Sequence, residues 1–173
     1  MEPVIAHFDG LVEPRNPGGH ACGGWVILAH PAVQGLEKMI AGYTIYGHGE
    51  GMTNNLAEYS AALDALRAVY RIGWRGPVVL RGDSQLVIRQ TTGQYACNVP
   101  HLITLRDKLR GAMTHFESVT LEWVGRDDNE LADRQSRIAY ESARRMFGNV
   151  RPDPWNIHDD VRQEIEARKA VQA

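Results

Sequence analysis

The apolar pattern of the chain changes at Thr53, and this change restricts the possible folds more than any other feature of the sequence. Before it come three short β-type runs, at residues 4–8, 24–28 and 39–46, which are separated by turn-rich links. After it, residues 53–70 carry apolar side chains at helical spacing. The short links predict an antiparallel meander of three strands, against which the long helix packs.

The rest of the chain alternates strands and helices. We predict a strand at 78–80, helices at 85–90 and 101–116, a strand at 119–124 and a helix at 129–147. A meander followed by such alternation indicates an α/β fold with a mixed sheet covered by helices. The predicted buried faces are Leu56, Tyr59, Leu63, Leu66 and Tyr70 in the first long helix, and Leu131, Ile138, Ala139 and Met146 in the last.

A proline-rich stretch at residues 151–155 follows the last helix and indicates a boundary. We therefore predict one domain at residues 1–147 and a C-terminal appendage of unknown role at 148–173, where 159–171 has the pattern of a polar helix.

Charge and cysteine content narrow the class of protein. The net charge of −2 does not favour a nucleic-acid binder, because phosphate-binding domains usually carry a basic excess. That argument weakens if the acids surround bound cations. Cys22 and Cys97 form no CxxC pair, and neither a signal-peptide pattern nor a membrane-spanning apolar run is present. We expect a reduced, monomeric, cytoplasmic protein. The sequence leaves open whether Cys22 and Cys97 form a disulfide.

Three acids lie where predicted strands or helices begin or end. Asp9 follows the first strand, Asp83 follows the fourth, and Glu58 lies in the first turns of the long helix, at the edge of its apolar face. Parallel neighbouring strands would place Asp9 and Asp83 side by side, where their repulsion favours a bound cation. Oxygen ligands of this kind suit Mg²⁺.

Each acid also has an ordinary structural interpretation. Glu58 has capping-box spacing from Asn55, and Asp83 has a position suited to a helix cap. Asp9 followed by Gly10 is a common turn, and Asp133, early in the last helix, favours the helix dipole. Position alone therefore does not establish a site.

The four acids lie in four separate segments. They are Phe8-Asp9-Gly10 with the glycine-containing stretches 16–19 and 23–25, then Thr53-Asn54-Asn55-Leu56-Ala57-Glu58-Tyr59, then Arg81-Gly82-Asp83-Ser84-Gln85-Leu86-Val87, and last residues 124–133, which end in Leu131-Ala132-Asp133. These segments resemble motifs of the ribonuclease H type I family. Each motif alone is weak evidence for the family, but the four occur in family order across residues 4–147. The link at 125–129 lacks the histidine of many bacterial members and is similar to a histidine-less, archaeal-type subgroup.

The resemblance implies a ribonuclease H-like fold, with a five-stranded mixed sheet in the order 3-2-1-4-5 and helices on both faces. It implies an endoribonuclease that cuts the RNA strand of RNA–DNA hybrids with two Mg²⁺ ions, Mn²⁺ being a substitute. Asp9 would bridge the ions, Asp133 would complete the site of the attacking water, and Glu58 and Asp83 the site of the leaving 3′-oxygen. Products would carry 5′-phosphate and 3′-hydroxyl ends.

The resemblance also implies substrate contacts. The residues involved would be Gly10, Asn16, Asn54, Asn55, Ser84 and Gln85, which would lie along the shallow minor groove that displays the RNA 2′-hydroxyl. Of the two neighbouring asparagines, we expect one to cap the helix and the other to face the hybrid. Arg126 would bind phosphate in place of the missing histidine, or would be an ordinary surface arginine. Double-stranded RNA is a second candidate substrate.

Two other functions use the same fold. One is a nucleic-acid-binding module without catalytic activity, which an intact acidic cluster disfavours because it repels phosphates. The other is a different nuclease, such as a resolvase or an exonuclease. The Asn54-Asn55 pair and the Asp83-Ser84-Gln85 motif favour recognition of a 2′-hydroxyl and hence a ribonuclease H.

Overall fold

A computed structural model describes residues 1–148 of the chain. All but the first residue of the predicted appendage at 148–173 lies outside these residues. The described part contains five strands and four helices, with a 3₁₀ turn before the last helix. The elements are β1 (Val4–Glu13), β2 (Gly18–Ile27), β3 (Ile40–Gly49), α1 (Asn54–Arg71), β4 (Val78–Gly82), α2 (Gln85–Thr91), α3 (Pro100–Met113), β5 (Val119–Trp123), the turn Arg126–Asn129, and α4 (Glu130–Phe147).

The strands form one mixed sheet in the order β3-β2-β1-β4-β5, which confirms the predicted fold class. The meander β1-β2-β3 is antiparallel, whereas β4 and β5 run parallel to β1. Pairing between β1 and β4 ends at Phe8 and Gly82, although β1 continues five residues further beside β2. The sheet therefore splits between β1 and β4, and beyond the split one edge of β1 is open.

Helices cover both faces of the sheet, as predicted. Val4, Ala6 and Phe8 of β1 belong to the large core shared with α1 and α3. Leu11, on the opposite face, packs in a smaller cluster with Ala139 and Ala143 of α4. Because side chains alternate along a strand, His7, Asp9 and Leu11 all face α4, and the even-numbered residues face α1.

Strands β1 and β2 are longer than predicted, and the interpretation of Asp9-Gly10 as a strand-ending turn was wrong. Glycines read as strand breakers in the sequence, but here they let helices approach the sheet backbone. A Cβ on Gly10 would lie 2.3 Å from the backbone nitrogen of Glu58, and one on Gly24 would lie 2.3 Å from that of Ser136. These glycines are needed for close packing of α1 and α4 on the sheet.

The buried face predicted for α4 was right for Ala139 but wrong for Leu131, Ile138 and Met146. The large aliphatic residues of α4 are exposed, whereas small residues spaced three or four apart are buried together with Tyr140, because α4 lies directly on Gly24. Tyr70 in α1 is likewise 43% exposed, and alanines fill much of the α1 interface. The exposed residues of α4 are Leu131, Ile138, Met146 and Phe147, and the buried ones are Ala132, Ser136, Ala139, Tyr140 and Ala143.

Among residues 1–148, no helix is long and apolar enough to cross a membrane. Cys22 and Cys97 are both buried, free thiols. Helix α3 begins one residue earlier than predicted and ends three residues earlier, at Met113.

Candidate metal centre

The split in the sheet brings Asp9 and Asp83 together. Each comes directly after the last residue that pairs β1 with β4, since Phe8 pairs with Gly82 in the parallel register. The backbone of β4 then turns into α2, which Ser84 caps by accepting a hydrogen bond from the Val87 N–H at 3.4 Å. The helix cap predicted for Asp83 is therefore provided by Ser84, and the Asp83 carboxylate is left to face the split.

Glu58 reaches the same place from the other face of the sheet. The helix N-cap is Thr53, whose hydroxyl accepts from the Leu56 N–H, so the capping-box interpretation of Glu58 was wrong. Because Gly10 lies directly under α1, its N–H donates to the Glu58 carboxylate at 3.0 Å. This N–H is available because β4 has already ended and leaves that edge of β1 open.

Asp9, Glu58 and Asp83 converge as one cluster. Each offers a carboxylate oxygen within 4.8 Å of the others. Burial raises the pKa of Asp9 to about 6, with the charges of Asp83 and Asp133 adding to the rise. Burial first, and then the charges of Asp9 and Asp83, hold the pKa of Glu58 well above its ordinary value. Crowded, desolvated carboxylates of this kind are stabilised by a cation.

The chemistry of these donors fits a hard divalent ion. All three side chains supply oxygen, as Mg²⁺ and Mn²⁺ prefer, and within residues 1–148 no thiol or imidazole belongs to the cluster. A cationic side chain, that of Arg126, pairs with the cluster, its Nε lying 3.7 Å from Oδ2 of Asp83. The Arg126 side chain is 82% exposed and so offsets only part of the negative charge.

Asp133, the fourth predicted acid, lies near the cluster but outside it. It is in the first turns of α4, where its Oδ2 accepts from Nε of Arg137 at 3.1 Å. Arg137 also lies 3.6 Å from the carboxylate of Glu13. The negative charge of Asp133 nevertheless contributes to the raised pKa of Asp9.

Two buried polar residues support the aspartates, and sequence reasoning missed both. Ser136 of α4 donates to the Asp9 carboxylate, and its hydroxyl also lies 2.8 Å from the carbonyl of Asp133. Asn129, only 1% exposed, lies 3.5 Å from the Asp83 carboxylate. The available signal was the run of small residues in α4, which marks the side that packs closely on the sheet.

The predicted substrate-contact residues surround the cluster in two groups. On the α1 side, Asn54 accepts from the Val12 N–H at 2.7 Å and Asn16 accepts from the Asn54 N–H at 3.1 Å. Neither Asn54 nor Asn55 caps α1, contrary to the expectation that one would. Within the described part of the chain, the Asn55 side chain has no hydrogen-bond partner, and it is partly exposed. On the α2 side, Gln85 is exposed beside the capping Ser84.

The chain matches known proteins over most of this region. A family model described as "Reverse transcriptase-like" matches residues 8–139. The protein named Ribonuclease HI from Halobacterium salinarum is 38% identical over 141 residues, which cover 81% of this chain. The matched stretch spans 65% of that relative's length.

Solved structures agree with the sequence comparison. The crystal structure of RNase H1 from the halophilic archaeon Halobacterium salinarum NRC-1 has a TM-score of 0.71 at 36% identity, covering 82% of this chain and all of that one. A crystal structure of LC11-RNase H1 in complex with RNA/DNA hybrid has a TM-score of 0.70 at 26% identity, covering 81% of this chain and 98% of that one.

Proposed function

Since the chain belongs to the ribonuclease H type I family, we propose that it hydrolyses the RNA strand of RNA–DNA hybrids at the cluster of Asp9, Glu58 and Asp83. The observation that carries the proposal is the convergence of these three carboxylates, from both faces of the sheet, at the β1–β4 split. A protein that only binds nucleic acid gains nothing from a repulsive acidic cluster directed at phosphates.

The three carboxylates would hold divalent cations, with two Mg²⁺ ions per site when substrate is bound and Mn²⁺ as a substitute. The chemistry supplied by such ions is activation of the attacking water and stabilisation of the leaving 3′-oxygen, so that products carry 5′-phosphate and 3′-hydroxyl ends. Asp133 would take part through Oδ1, because Oδ2 is held by Arg137.

The protein's own residues prepare this site before substrate arrives. The Gly10 N–H fixes one oxygen of Glu58, and the Ser136 hydroxyl fixes one oxygen of Asp9. Each carboxylate is thereby restrained through one of its two oxygens, and the other oxygen would be left for a cation. Such restraint lowers the reorganisation needed when charge develops in the reaction.

Recognition of RNA would come from the groups around the cluster. Amides donate and accept hydrogen bonds, so the side chain of Asn55, which has no partner among residues 1–148, and the exposed side chain of Gln85 suit a 2′-hydroxyl. The backbone of Gly10 would line the same groove, with Ser84 beside Gln85, while Asn16 and Asn54 hold the β1–β2 connection in place. Arg126 would contact a phosphate next to Asp83.

We propose a monomer that acts in the cytoplasm, consistent with the two free thiols. Residues 1–147 would form the catalytic domain, and the role of 148–173 is not assigned. Double-stranded RNA is a second substrate to be tested beside the hybrid.

A cleavage assay tests the proposal. Hybrid, RNA–RNA and DNA–DNA duplexes of one sequence, each labelled on one strand, are incubated with the protein in Mg²⁺ or Mn²⁺. We expect cutting of the hybrid's RNA strand and none of the DNA duplex. If the hybrid is cut in neither metal, the proposed enzymatic function is rejected, and the alternative of a nucleic-acid-binding module without catalytic activity remains. Cutting of the DNA duplex would instead favour another nuclease.

A further inference from the structure

Asn129 is a buried amide in a strongly polar, exposed stretch of chain. It ends the 3₁₀ turn Arg126–Asn129 and is 1% exposed, whereas Asp127, Asp128 and Glu130 around it are exposed. Buried amides are expensive to desolvate unless each polar atom finds a partner. The partners of Asn129 therefore indicate why the residue is buried.

Two groups of β1 and one group just beyond the end of β4 meet this side chain. Its Nδ2 donates to the carbonyl of Phe8 at 2.9 Å and lies 3.5 Å from Oδ1 of Asp83. Its Oδ1 lies 3.2 Å from Nδ1 of His7. Both groups near Nδ2 are oxygens, which accept hydrogen bonds, so Nδ2 is the donor and Oδ1 is the acceptor. Oδ1 therefore accepts from His7, and the hydrogen of neutral His7 lies on Nδ1.

These partners lie at the point where the sheet splits. Phe8 and Gly82 form the last pair between β1 and β4, and Asp83 is the first residue beyond it. The Asn129 amide thus donates to β1 where β4 no longer accompanies it, and the same NH₂ group faces the departing Asp83. One side chain is therefore in contact with both sides of the opening that holds the acidic cluster.

We propose that Asn129 is a positioning residue that fixes the Asp83 carboxylate relative to Asp9, so that the affinity of the cluster for divalent cations depends on it. The inference rests on the proposed metal site. Groups that hydrogen-bond to metal ligands typically change metal affinity by about 10- to 100-fold when they are removed. Asn129 would not touch the metal or the substrate.

The alternative is that Asn129 only stabilises the fold, and the chain offers a matched control for it. Gln90 is also a buried carboxamide, 8% exposed, and it too joins separate elements. Its Oε1 accepts from the Tyr59 hydroxyl at 2.9 Å, and its Nε2 donates to the Ala96 carbonyl at 2.9 Å. None of these groups belongs to the acidic cluster.

The test compares Asn129→Ala with Gln90→Ala in the full chain. Free Mn²⁺ is measured by electron paramagnetic resonance during titration of the metal-stripped proteins, and thermal unfolding is recorded without metal. We expect both variants to unfold at lower temperature. Only Asn129→Ala should bind Mn²⁺ at least about 10-fold more weakly, while Gln90→Ala should stay within about threefold of the parent.

A second variant protects the test against failure to fold. If Asn129→Ala is unfolded, Asn129→Ser replaces it, since a serine retains a polar group but is too short to bridge Phe8 and Asp83. Mn²⁺ affinity of the folded variant within about threefold of the parent overturns the inference, as does an equal loss in Gln90→Ala.

The outcomes are distinct from those of the proposed function. Loss of Mn²⁺ affinity in the Asn129 variant supports the inference even if the parent protein cuts no hybrid. Hybrid cutting by a parent whose Asn129 variant binds Mn²⁺ normally supports the function and rejects the inference. A parent that binds no Mn²⁺ at millimolar concentration rejects both.

Discussion

Gly10 and Glu58 are in direct contact: the Gly10 N–H donates to the Glu58 carboxylate at 3.0 Å, and a Cβ on Gly10 would lie 2.3 Å from the Glu58 backbone nitrogen. The glycine therefore has two roles, one in helix–sheet packing and one in positioning the acidic cluster. It allows α1 to approach β1, and this approach brings Glu58 to Asp9 and Asp83.

Gly10→Ala should destabilise the protein by about 3 kcal/mol, because the clash is with backbone and cannot be relieved by a rotamer change. Thermal and urea unfolding measure the loss. Gly111→Ala is the control, since Gly111 lies in α3 with no atom within 4 Å of its added Cβ. That control should be stabilising by about 0.5–1 kcal/mol. Equal stabilities of the two variants would contradict the packing described for α1.

Without metal, the stability of the protein should fall as pH rises from about 4 to about 6. Asp9 has a pKa near 6 in the fold and about 3.9 when unfolded, so in this range the native state keeps a proton that the unfolded state has lost. Glu58, whose pKa is also raised, contributes with the same sign. The expected loss from Asp9 is on the order of 2–3 kcal/mol.

Chemical denaturation in a chelating buffer across this pH range tests the point. Asp9→Asn should flatten the profile and raise stability at pH 7, whereas Asp107→Asn, at an exposed position in α3, should leave it unchanged. Mn²⁺ at pH 7 should raise the melting temperature of the parent more than that of Asp9→Asn, because a ligand of the native state stabilises it. A profile in Asp9→Asn as steep as the parent's would contradict the shifted pKa.

Asn54 and Asn55 should respond differently to replacement by alanine. Asn54→Ala removes the acceptor of the Val12 N–H and should cost about 1 kcal/mol of stability. Asn55→Ala removes no hydrogen bond within the described residues and should leave stability within about 0.5 kcal/mol. Its effect should instead be a higher KM for hybrid. Unfolding curves and steady-state cleavage separate the two roles, and an unchanged KM would exclude Asn55 as a substrate contact.

Arg126→Ala should reduce hybrid cleavage a few-fold and lower the slope of log KM against log salt by about one, as expected for loss of one phosphate contact. The residue is 82% exposed beside Asp83, so its removal should hardly affect folding. Arg67→Ala is the control, because Arg67 is an exposed arginine paired with Asp64 near the other end of α1. An unchanged salt slope would make Arg126 an ordinary surface residue.

The strands, the helices and the acids of the cluster could be predicted because their signals are local, whereas the strand order was implied by the resemblance to the family. Apolar periodicity identified every strand and helix, and the order of motifs around Asp9, Glu58 and Asp83 matched one family. The glycines of β1 and β2 were misread because a glycine that ends a strand and one that admits a helix look alike in sequence. Only the structure shows α1 over Gly10 and α4 over Gly24.

Asn129 and Ser136 could not be predicted because their roles depend on contacts with aspartates 46 and 127 residues away along the chain. Asn129 reads as a helix start and Ser136 as a helix surface residue, yet each reaches an aspartate from a different strand. The buried face of α4 was predicted mainly from its large apolar residues, and most of its alanines were passed over. The close approach to Gly24 reverses that preference, because only small side chains fit between helix and sheet.

Cleavage of labelled RNA–DNA hybrid by Asp9→Asn tests the central claim most directly, since Asp9 is the buried aspartate that links the cluster to α4. The substitution keeps the shape of the side chain and removes its charge. With saturating Mg²⁺, we predict a loss of at least about 1000-fold, or about 4 kcal/mol of the barrier, in a folded protein. The control Asp107→Asn should cut at the parent rate. Near-normal cutting by folded Asp9→Asn would contradict the assignment of the reaction to this cluster.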